Sequence, residues 1–231
     1  MTINDIYNSV KFIANKEQKG YIKPSEFNTL AKQAQLELIN EKLDKIRKHK
    51  SLERTGTNYR GAGEDVDDFY NEVGVLSTEA TLTYSSNKFQ YPTDVMYVQW
   101  LVYEPSSSPT PIELVDRHNV NQVLRSSLVA PSVEYPIAIR TSGGYEVFPT
   151  TITSGVKLQY YKEPASPVWG YQASGNDYIY NSNTSVQLEL PDSCHNDIII
   201  KILKYVGINL RDADLSNYAV QTEAQDYAKT R

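Results

Sequence analysis

Apolar side chains recur at spacings of three and four residues near the start of the chain, and this pattern predicts two consecutive helices. The first helix presents one apolar stripe, with Phe12 beside it, formed by Ile3, Ile6, Tyr7, Val10 and Ile13. The second, predicted from Ser25 to His49, presents two displaced stripes, Phe27, Leu30, Ala31, Ala34 and Leu38, then Leu36, Ile39, Leu43 and Ile46. Because the two stripes face different directions, we expect the second helix to pack against two partners.

An interruption at Gly20, Pro24 and Ser25 separates the two helices. Glycine is favoured just past a helix end, where a positive φ is needed, and proline is tolerated in a first helical turn, where its missing N–H loses no hydrogen bond. We therefore predict a structural elbow here, at which the second helix folds back on the first.

Between residues 77 and 190 the pattern changes to alternation of Thr, Val and Tyr with polar residues, punctuated by Pro, Gly, Ser and Asn. This pattern is typical of β structure. The predicted strands cover residues 95–104, 112–115, 137–140, 145–148, 156–161 and 186–190. Ser142, Gly143 and Gly144 predict a hairpin turn between two of them. Residues 116–128 have helical spacing instead and predict a short crossover helix.

The chain becomes helical again after Leu190. Pro191, Asp192 and Ser193 supply helix-starting chemistry before an apolar run that we expect to end at Gly207. The predicted fold class is therefore α+β: a helical bundle built from residues 1–76 and 191–231, with an antiparallel β domain, either a sandwich or a curled sheet, inserted as residues 77–190.

The composition of the chain limits the kinds of molecule that we expect it to bind. The chain has 231 residues and a net charge of −5, from 23 Lys and Arg against 28 Asp and Glu. It therefore lacks the basic excess that drives sequence-independent binding to nucleic acid, although an acidic wall past which DNA slides is compatible with it. No apolar run reaches the ~20 residues of a membrane span, and the first residues lack a signal-peptide pattern, so we expect a soluble protein.

Tyrosine is unusually frequent, with 18 Tyr against 5 Phe and 2 Trp. Two interpretations remain open. Tyrosine gives broad contact area with a polar tip, which favours extensive protein contact, and it is also an ordinary strand former.

The sequence predicts neither a catalytic site nor a metal site. His49, His118 and His195 lie in three unlike segments, and a glycine-rich stretch at residues 55–63 lacks the spacing of a phosphate loop. Cys194 is the single cysteine, and its neighbour His195 points elsewhere on a helix because adjacent helical residues diverge by about 100°. The acidic cluster at residues 64–68 lacks the alternating ligands of an EF-hand loop. We expect no enzyme, no cofactor and no metal.

Two stretches carry a family resemblance. The first runs from Ile3 to Leu38 and includes Gly20-Tyr-Ile-Lys-Pro-Ser-Glu-Phe-Asn28. The second is Gly155-Val-Lys-Leu-Gln-Tyr-Tyr-Lys-Glu-Pro164, followed by Leu188-Glu-Leu-Pro191 and the helix from Ile198 to Gly207. Together they resemble the head-to-tail connector ring proteins, or portal adaptors, of short-tailed bacteriophages, crAss-like podoviruses in particular.

The resemblance implies a structural virion protein of the tail, made in the host cytoplasm and acting in genome ejection. By resemblance, about twelve copies form a ring, a dodecamer, beneath the portal protein and contact further tail or connector rings. DNA passes through the lumen without sequence-specific binding, and no membrane is involved.

The last predicted helix, from about residue 214 onwards, has few apolar residues, so we expect it to need a partner outside its own domain. It is predicted to dock on the portal or on a neighbouring subunit through Asp214, Leu215, Tyr218, Gln221, Thr222, Tyr227 and Arg231.

The alternative function is a tyrosine-rich carbohydrate-binding β module with a helical tether. Sugars would stack on Trp100, Trp169, Tyr160 or Tyr161. Trp100 lies in the most apolar predicted strand, however, and is expected in the core. An enzyme of unrecognised type comes third, without a polar constellation to support it.

Overall fold

The structure of the chain is a computed structural model that describes residues 1–16, 22–54, 70–106, 108–175 and 177–209. Its named α-helices are α1 (Ile3–Lys16), α2 (Pro24–Arg54), α3 (Val120–Arg125) and α4 (His195–Asn209). Residues 70–74 are also helical, and two short 3₁₀ turns cover Ser182–Thr184 and Asp192–Cys194. The chain divides into two compact units, a first unit of Met1–Val75 with Pro164–Arg231 and a second unit of Leu76–Glu163.

The core of the first unit lies around α4, which packs against both α1 and α2. Ile198, Ile202 and Val206 of α4 are buried, as are both predicted stripes of α2 except for the half-buried Leu30 and Leu36. The two stripes of α2 are thus largely covered, as the spacing predicted. Helix α4 does not end at Gly207 but continues to Asn209, with Gly207 buried inside it.

The second unit is built on one eight-stranded curled sheet. Its strands are β1 (Ser77–Thr81), β2 (Tyr84–Ser85), β3 (Lys88–Gln90), β4 (Val95–Tyr103), β5 (Thr110–Leu114), β6 (Ile137–Thr141), β7 (Gly144–Phe148) and β8 (Val156–Lys162). They are ordered β1-β8-β4-β5-β6-β7-β3-β2 across the sheet. One face carries the core, in which Leu101, Leu158 and Tyr160 are among the buried residues.

The sheet is antiparallel except at one pair. Strands β5 and β6 run parallel, and a parallel pair requires a long crossover connection. Helix α3 lies in that connection, so the crossover helix predicted over residues 116–128 exists, although it covers only Val120–Arg125. The predicted hairpin between β6 and β7 is also present, with Gly143 at a positive φ of 82°.

The structure confirms a mixed α+β protein with a large curled sheet, and it differs from the predicted arrangement in residues 164–190. This segment, assigned above to the β domain, groups with the terminal helices in the first unit. It holds a separate hairpin of β9 (Tyr171–Ser174) and β10 (Asp177–Tyr180). The strand predicted at 186–190 is wrong, because Val186 forms only an isolated bridge with Val168.

Candidate functional site

The elbow before α2 is built from local hydrogen bonds. The backbone N–H of Lys23 donates to the Glu26 carboxylate at 3.0 Å, and the carbonyl of Lys23 accepts the first helical hydrogen bond, from Phe27, at 3.0 Å. A carboxylate that reaches back to the residue before the helix is one half of a capping box. Pro24 is buried at the first helical position and Ser25 is exposed.

Tyr7 connects this elbow to α1. Its hydroxyl donates to the carbonyl of Ile22 at 3.2 Å, and its ring meets Phe27 edge to face with centroids 5.0 Å apart. These two contacts link α1 to the first turn of α2 and define how the chain folds back. Gly20, the third predicted elbow residue, lies outside the described residues.

Trp169 is the centre of an aromatic cluster inside the first unit. It is only 3% exposed and stacks on Tyr7 with ring centroids 4.2 Å apart. Its indole N–H donates to Asn4 at 3.0 Å, and its backbone N–H donates to Asn28 at 2.7 Å. Both N–H groups of the residue are thereby bonded to α1 or α2, so Trp169 holds the helices together.

This burial changes the carbohydrate hypothesis. Of its four candidate residues, Trp169, Tyr160 and Tyr161 are buried and offer no face to a sugar. Trp100, which was expected in the core, is 51% exposed, and that expectation was wrong. The reason is a local irregularity of β4 that the alternation of the sequence does not reveal.

A second buried cluster in the first unit is charged. Lys201 of α4 is buried, and its ammonium lies 2.8 Å from Glu41 and 3.5 Å from Glu37, both on α2. The Tyr205 hydroxyl donates to Glu37. Burial, and then the hydrogen bond to Glu37, raises the pKa of Tyr205 to about 12, so the hydroxyl stays protonated. This arrangement neutralises a buried cation and fixes the register of α4 on α2.

A related pair lies at the start of α4. The buried Lys42 ammonium is paired with Glu72, and the Ser193 hydroxyl donates to the same carboxylate at 3.0 Å. Burial opposes ionisation of Glu72, but the hydrogen bond and charge of Lys42 outweigh it, and the net result lowers the pKa of Glu72. Lys42 and Glu72 are matched one to one, whereas Lys201 faces two carboxylates. In both clusters the buried ammonium is paired inside the unit, which is typical of structural ion pairs.

Cys194 and His195 do not form a nucleophile and base. Both are buried, and burial raises the pKa of the Cys194 thiol to about 11, which disfavours the reactive thiolate. Burial likewise lowers the pKa of His195, whose Nε2 lies 3.2 Å from the carbonyl of Leu190. The prediction of a structural first turn is consistent with this geometry.

The clearest exposed surface is a loop of the second unit that the sequence reading did not single out. We call it the apolar loop, and its members are Leu124, Leu128, Val129, Val133 and Tyr135. Leu128 is 91% exposed and Tyr135 is 76% exposed. The available signal was Ser126-Ser127 followed by Leu-Val-Ala-Pro. Leu124 lies in the last turn of α3, the serines follow that helix, and the apolar residues after them fall outside any element.

The backbone of the apolar loop is held by hydrogen bonds. The Ser126 hydroxyl accepts from the backbone N–H groups of Leu128 at 3.2 Å and Val129 at 3.3 Å. Ser132 and Tyr135 exchange two backbone hydrogen bonds at 3.2 and 3.3 Å. The loop therefore presents its apolar side chains from a braced backbone.

The remaining predicted residues lie outside the described part of the chain. These are the glycine-rich stretch 55–63, the acidic cluster 64–68, and the interface residues Asp214, Leu215, Tyr218, Gln221, Thr222, Tyr227 and Arg231. Within residues 1–16, 22–54, 70–106, 108–175 and 177–209, no group of three or more His, Cys, Asp or Glu side chains is placed to hold a metal ion. None of the described helices is both long enough and apolar enough to cross a bilayer.

No family model matches the chain, and no curated protein sequence matches it either.

Proposed function

We propose that this chain is a structural ring protein of a bacteriophage head-to-tail connector, in which copies of it sit beneath the portal, extend the DNA channel and link the portal to the tail. The chemistry is assembly of protein surfaces rather than turnover of a substrate. The proposal starts from the resemblance of residues 3–38, 155–164, 188–191 and 198–207 to that class. A separate structural observation supports it.

That observation is the apolar loop. Its five apolar side chains lie within twelve residues of the sequence and all are exposed, which favours a contact site because their hydration is unfavourable unless a partner covers them. The two pairs of hydrogen bonds at Ser126 and at Ser132 with Tyr135 restrain the backbone of this loop. A preorganised surface loses less conformational entropy on binding, which favours repeated assembly of identical copies.

In the proposed assembly, α1, α2 and α4 belong to a helical bundle that is closed by both ends of the sequence. The bundles pack side by side in the ring, and the sheet unit faces outward or toward the next tail ring. The segment from Asp214 to Arg231 docks on the portal or on a neighbouring copy. The net charge of −5 suits a lumen that repels the phosphates of passing DNA.

The test is to mix the purified chain with the portal protein of the same phage and to image the mixture by electron microscopy. We expect a ring of about twelve copies stacked on one end of the portal, the number being that of the resembling family. A portal from an unrelated phage serves as the control and should remain bare. Absence of a ring on the cognate portal over a range of protein concentrations would contradict the proposal, whereas a monomer in the absence of portal would not.

A further inference from the structure

Trp100 is turned to the surface by a β-bulge in β4. Val98 pairs with Tyr160 and Trp100 pairs with Gln159, so two steps along β4 correspond to one step along β8. Val98 packs against the core, and simple alternation would place Trp100 on that same face. The extra residue, Gln99, reverses the alternation, and Trp100 comes to lie with Gln159 on the opposite face. Bulges commonly re-aim a side chain in this way next to functional sites.

The orientation of the exposed indole is fixed by a chain of polar contacts across three strands. The Trp100 N–H donates to the amide oxygen of Gln159, and the amide nitrogen of Gln159 donates to Glu79 at 3.0 Å. Lys157 lies 3.1 Å from Glu79 and 2.6 Å from Glu104. We call Trp100, Gln159, Glu79 and Lys157 the Trp100 platform.

The platform retains hydrogen-bonding capacity beyond these contacts. A glutamine amide has two N–H donors and an ammonium has three, and each carboxylate has about four lone-pair sites. The contacts named above use one donor of Gln159 and two of Lys157. The half-exposed indole is therefore accompanied by donors and acceptors whose positions are already set.

We propose that the Trp100 platform binds a neutral carbohydrate. A pyranose ring has a face of C–H groups that stacks on an aromatic ring, and its hydroxyl groups both donate and accept hydrogen bonds at the rim. The platform likewise combines an apolar indole with fixed polar groups at its edge. Small-ligand sites use such polar groups to orient the ligand on an apolar surface. The site lies wholly within the second unit and does not depend on ring formation.

Charge distinguishes this ligand from two others that also use tryptophan. Glu79 and Glu104 against Lys157 leave a local net charge of −1, which repels the phosphates of a single-stranded nucleic acid. The centres of protein interfaces are depleted in charged residues, whereas three charged side chains lie beside or near this tryptophan. A polyhydroxylated, uncharged ligand suits the surface better than either.

The test uses the full chain and a panel of cellohexaose, maltohexaose, chitohexaose and mannohexaose, measured by saturation-transfer NMR and by tryptophan fluorescence. We expect saturable binding of at least one of them, weakened about tenfold or more by Trp100→Ala and partly restored by Trp100→Phe. Gln159→Leu should weaken binding as well. Tyr84→Ala removes an exposed aromatic of the same unit that belongs to neither proposed surface, and it should leave binding unchanged.

Circular dichroism melting of each variant confirms that it is folded. The proposal is overturned if none of the four oligosaccharides binds at millimolar concentration, or if Trp100→Ala binds as well as the unmodified chain. Preferential binding of a dT oligonucleotide would reassign the platform to nucleic acid. Loss of self-association in Trp100→Ala without an effect on saccharide binding would reassign it to a subunit contact. Either result would overturn the carbohydrate proposal while leaving the ring proposal to its own test with the portal.

Discussion

At the scale of single residues, Glu72 has the charge with the clearest consequence for stability. The Lys42 ammonium and the Ser193 hydroxyl bind its carboxylate in the folded chain, and the pKa of Glu72 is lowered from 4.5 despite partial burial. A carboxyl with a lowered folded-state pKa adds stability above its unfolded pKa, and this contribution is lost as the pH falls through the folded value.

We therefore expect Glu72→Gln to reduce the free energy of unfolding by about 1 to 2 kcal/mol at pH 7. The difference from the unmodified chain should shrink as the pH falls below 4.5, where the unfolded chain takes up the proton, and it should be lost fully only below the lowered folded-state pKa of Glu72. Urea unfolding followed by circular dichroism at pH 7 and pH 3 measures the difference in the free energy of unfolding between the two chains. Glu113→Gln, at an exposed position, is the matched control and should show no such difference. A Glu72→Gln effect that is equal at both pH values would contradict the assignment.

The two tryptophans show that the burial of a single side chain could not be predicted from the sequence. Both were candidates for the same role, yet Trp169 is buried with its N–H bonded to Asn4, and Trp100 is exposed. Burial of Trp169 depends on partners at residues 4, 7 and 28, which are distant in sequence. Exposure of Trp100 depends on the bulge at Gln99, and an inserted residue leaves no mark in an apolar run.

At the scale of elements, the bulge in β4 makes a prediction of its own. Deleting Gln99 would place Trp100 directly after Val98. Adjacent residues of a regular strand lie on opposite faces, and Val98 and Trp100 already do so in the bulged strand. The faces of every other residue in β4 are then preserved, so the deletion should be tolerated with a loss of about 1 kcal/mol. Deleting Gln159 from the middle of β8 is the control, because it reverses the faces of the three strand residues on one side of the deletion and should abolish cooperative unfolding.

Thermal melting followed by circular dichroism compares the two deletions, and iodide quenching of tryptophan fluorescence reports whether Trp100 is still exposed. Loss of cooperative unfolding on deletion of Gln99 would show that the sheet requires the bulge itself. Retention of folding after deletion of Gln159 would contradict the register.

Elements with their own periodicity were predicted well. The spacing of apolar residues predicted three helices and four strands, namely α1, α2, α4, β4, β6, β7 and β8. A local change of period predicted the crossover helix α3. Residues 186–190 alternate equally well but form only the bridge at Val186. A strand needs a partner ladder, which is a tertiary property, and the short strands β1, β2 and β3 gave no local signal for the same reason.

At the scale of the whole molecule, the apolar loop predicts how assembly will respond to mutation. Leu128 and Val129 are exposed, so replacing both by Asp removes no core contact and should change the free energy of unfolding by less than about 0.5 kcal/mol. Two carboxylates at a contact between copies would have to be desolvated, which is unfavourable. We therefore expect the Leu128→Asp, Val129→Asp variant to fold normally and to fail to form rings on the portal.

Negative-stain images of portal mixtures give the count of ringed particles, and urea unfolding of the same sample tests the fold. Replacement of the exposed Thr150 and Thr151 by Asp, elsewhere in the second unit, provides a control of equal charge and should leave ring formation intact. Normal rings with the loop variant would show that the apolar loop is not a subunit contact.

The division into units was predicted only in outline. The sequence indicated terminal helices around a β segment, which the two units reproduce, but it assigned residues 164–190 to the β part. What holds that segment in the first unit is the set of contacts from Trp169 to Asn4, Tyr7 and Asn28. Contacts between residues that far apart in sequence have no local signature.

The first unit is discontinuous in sequence, and this has a consequence for synthesis on the ribosome. Helix α1 ends at Lys16 and its packing partner α4 begins at His195, about 180 residues later. At translation rates of about 5 to 20 residues per second, the apolar stripe of α1 waits roughly 10 to 40 s for its cover. The stripes of α2, which ends at Arg54, wait roughly 7 to 30 s. The sheet of residues 76–163 is complete before that wait ends. The nascent chain therefore carries one folded unit and two uncovered helices, which is the state in which a chaperone would bind it.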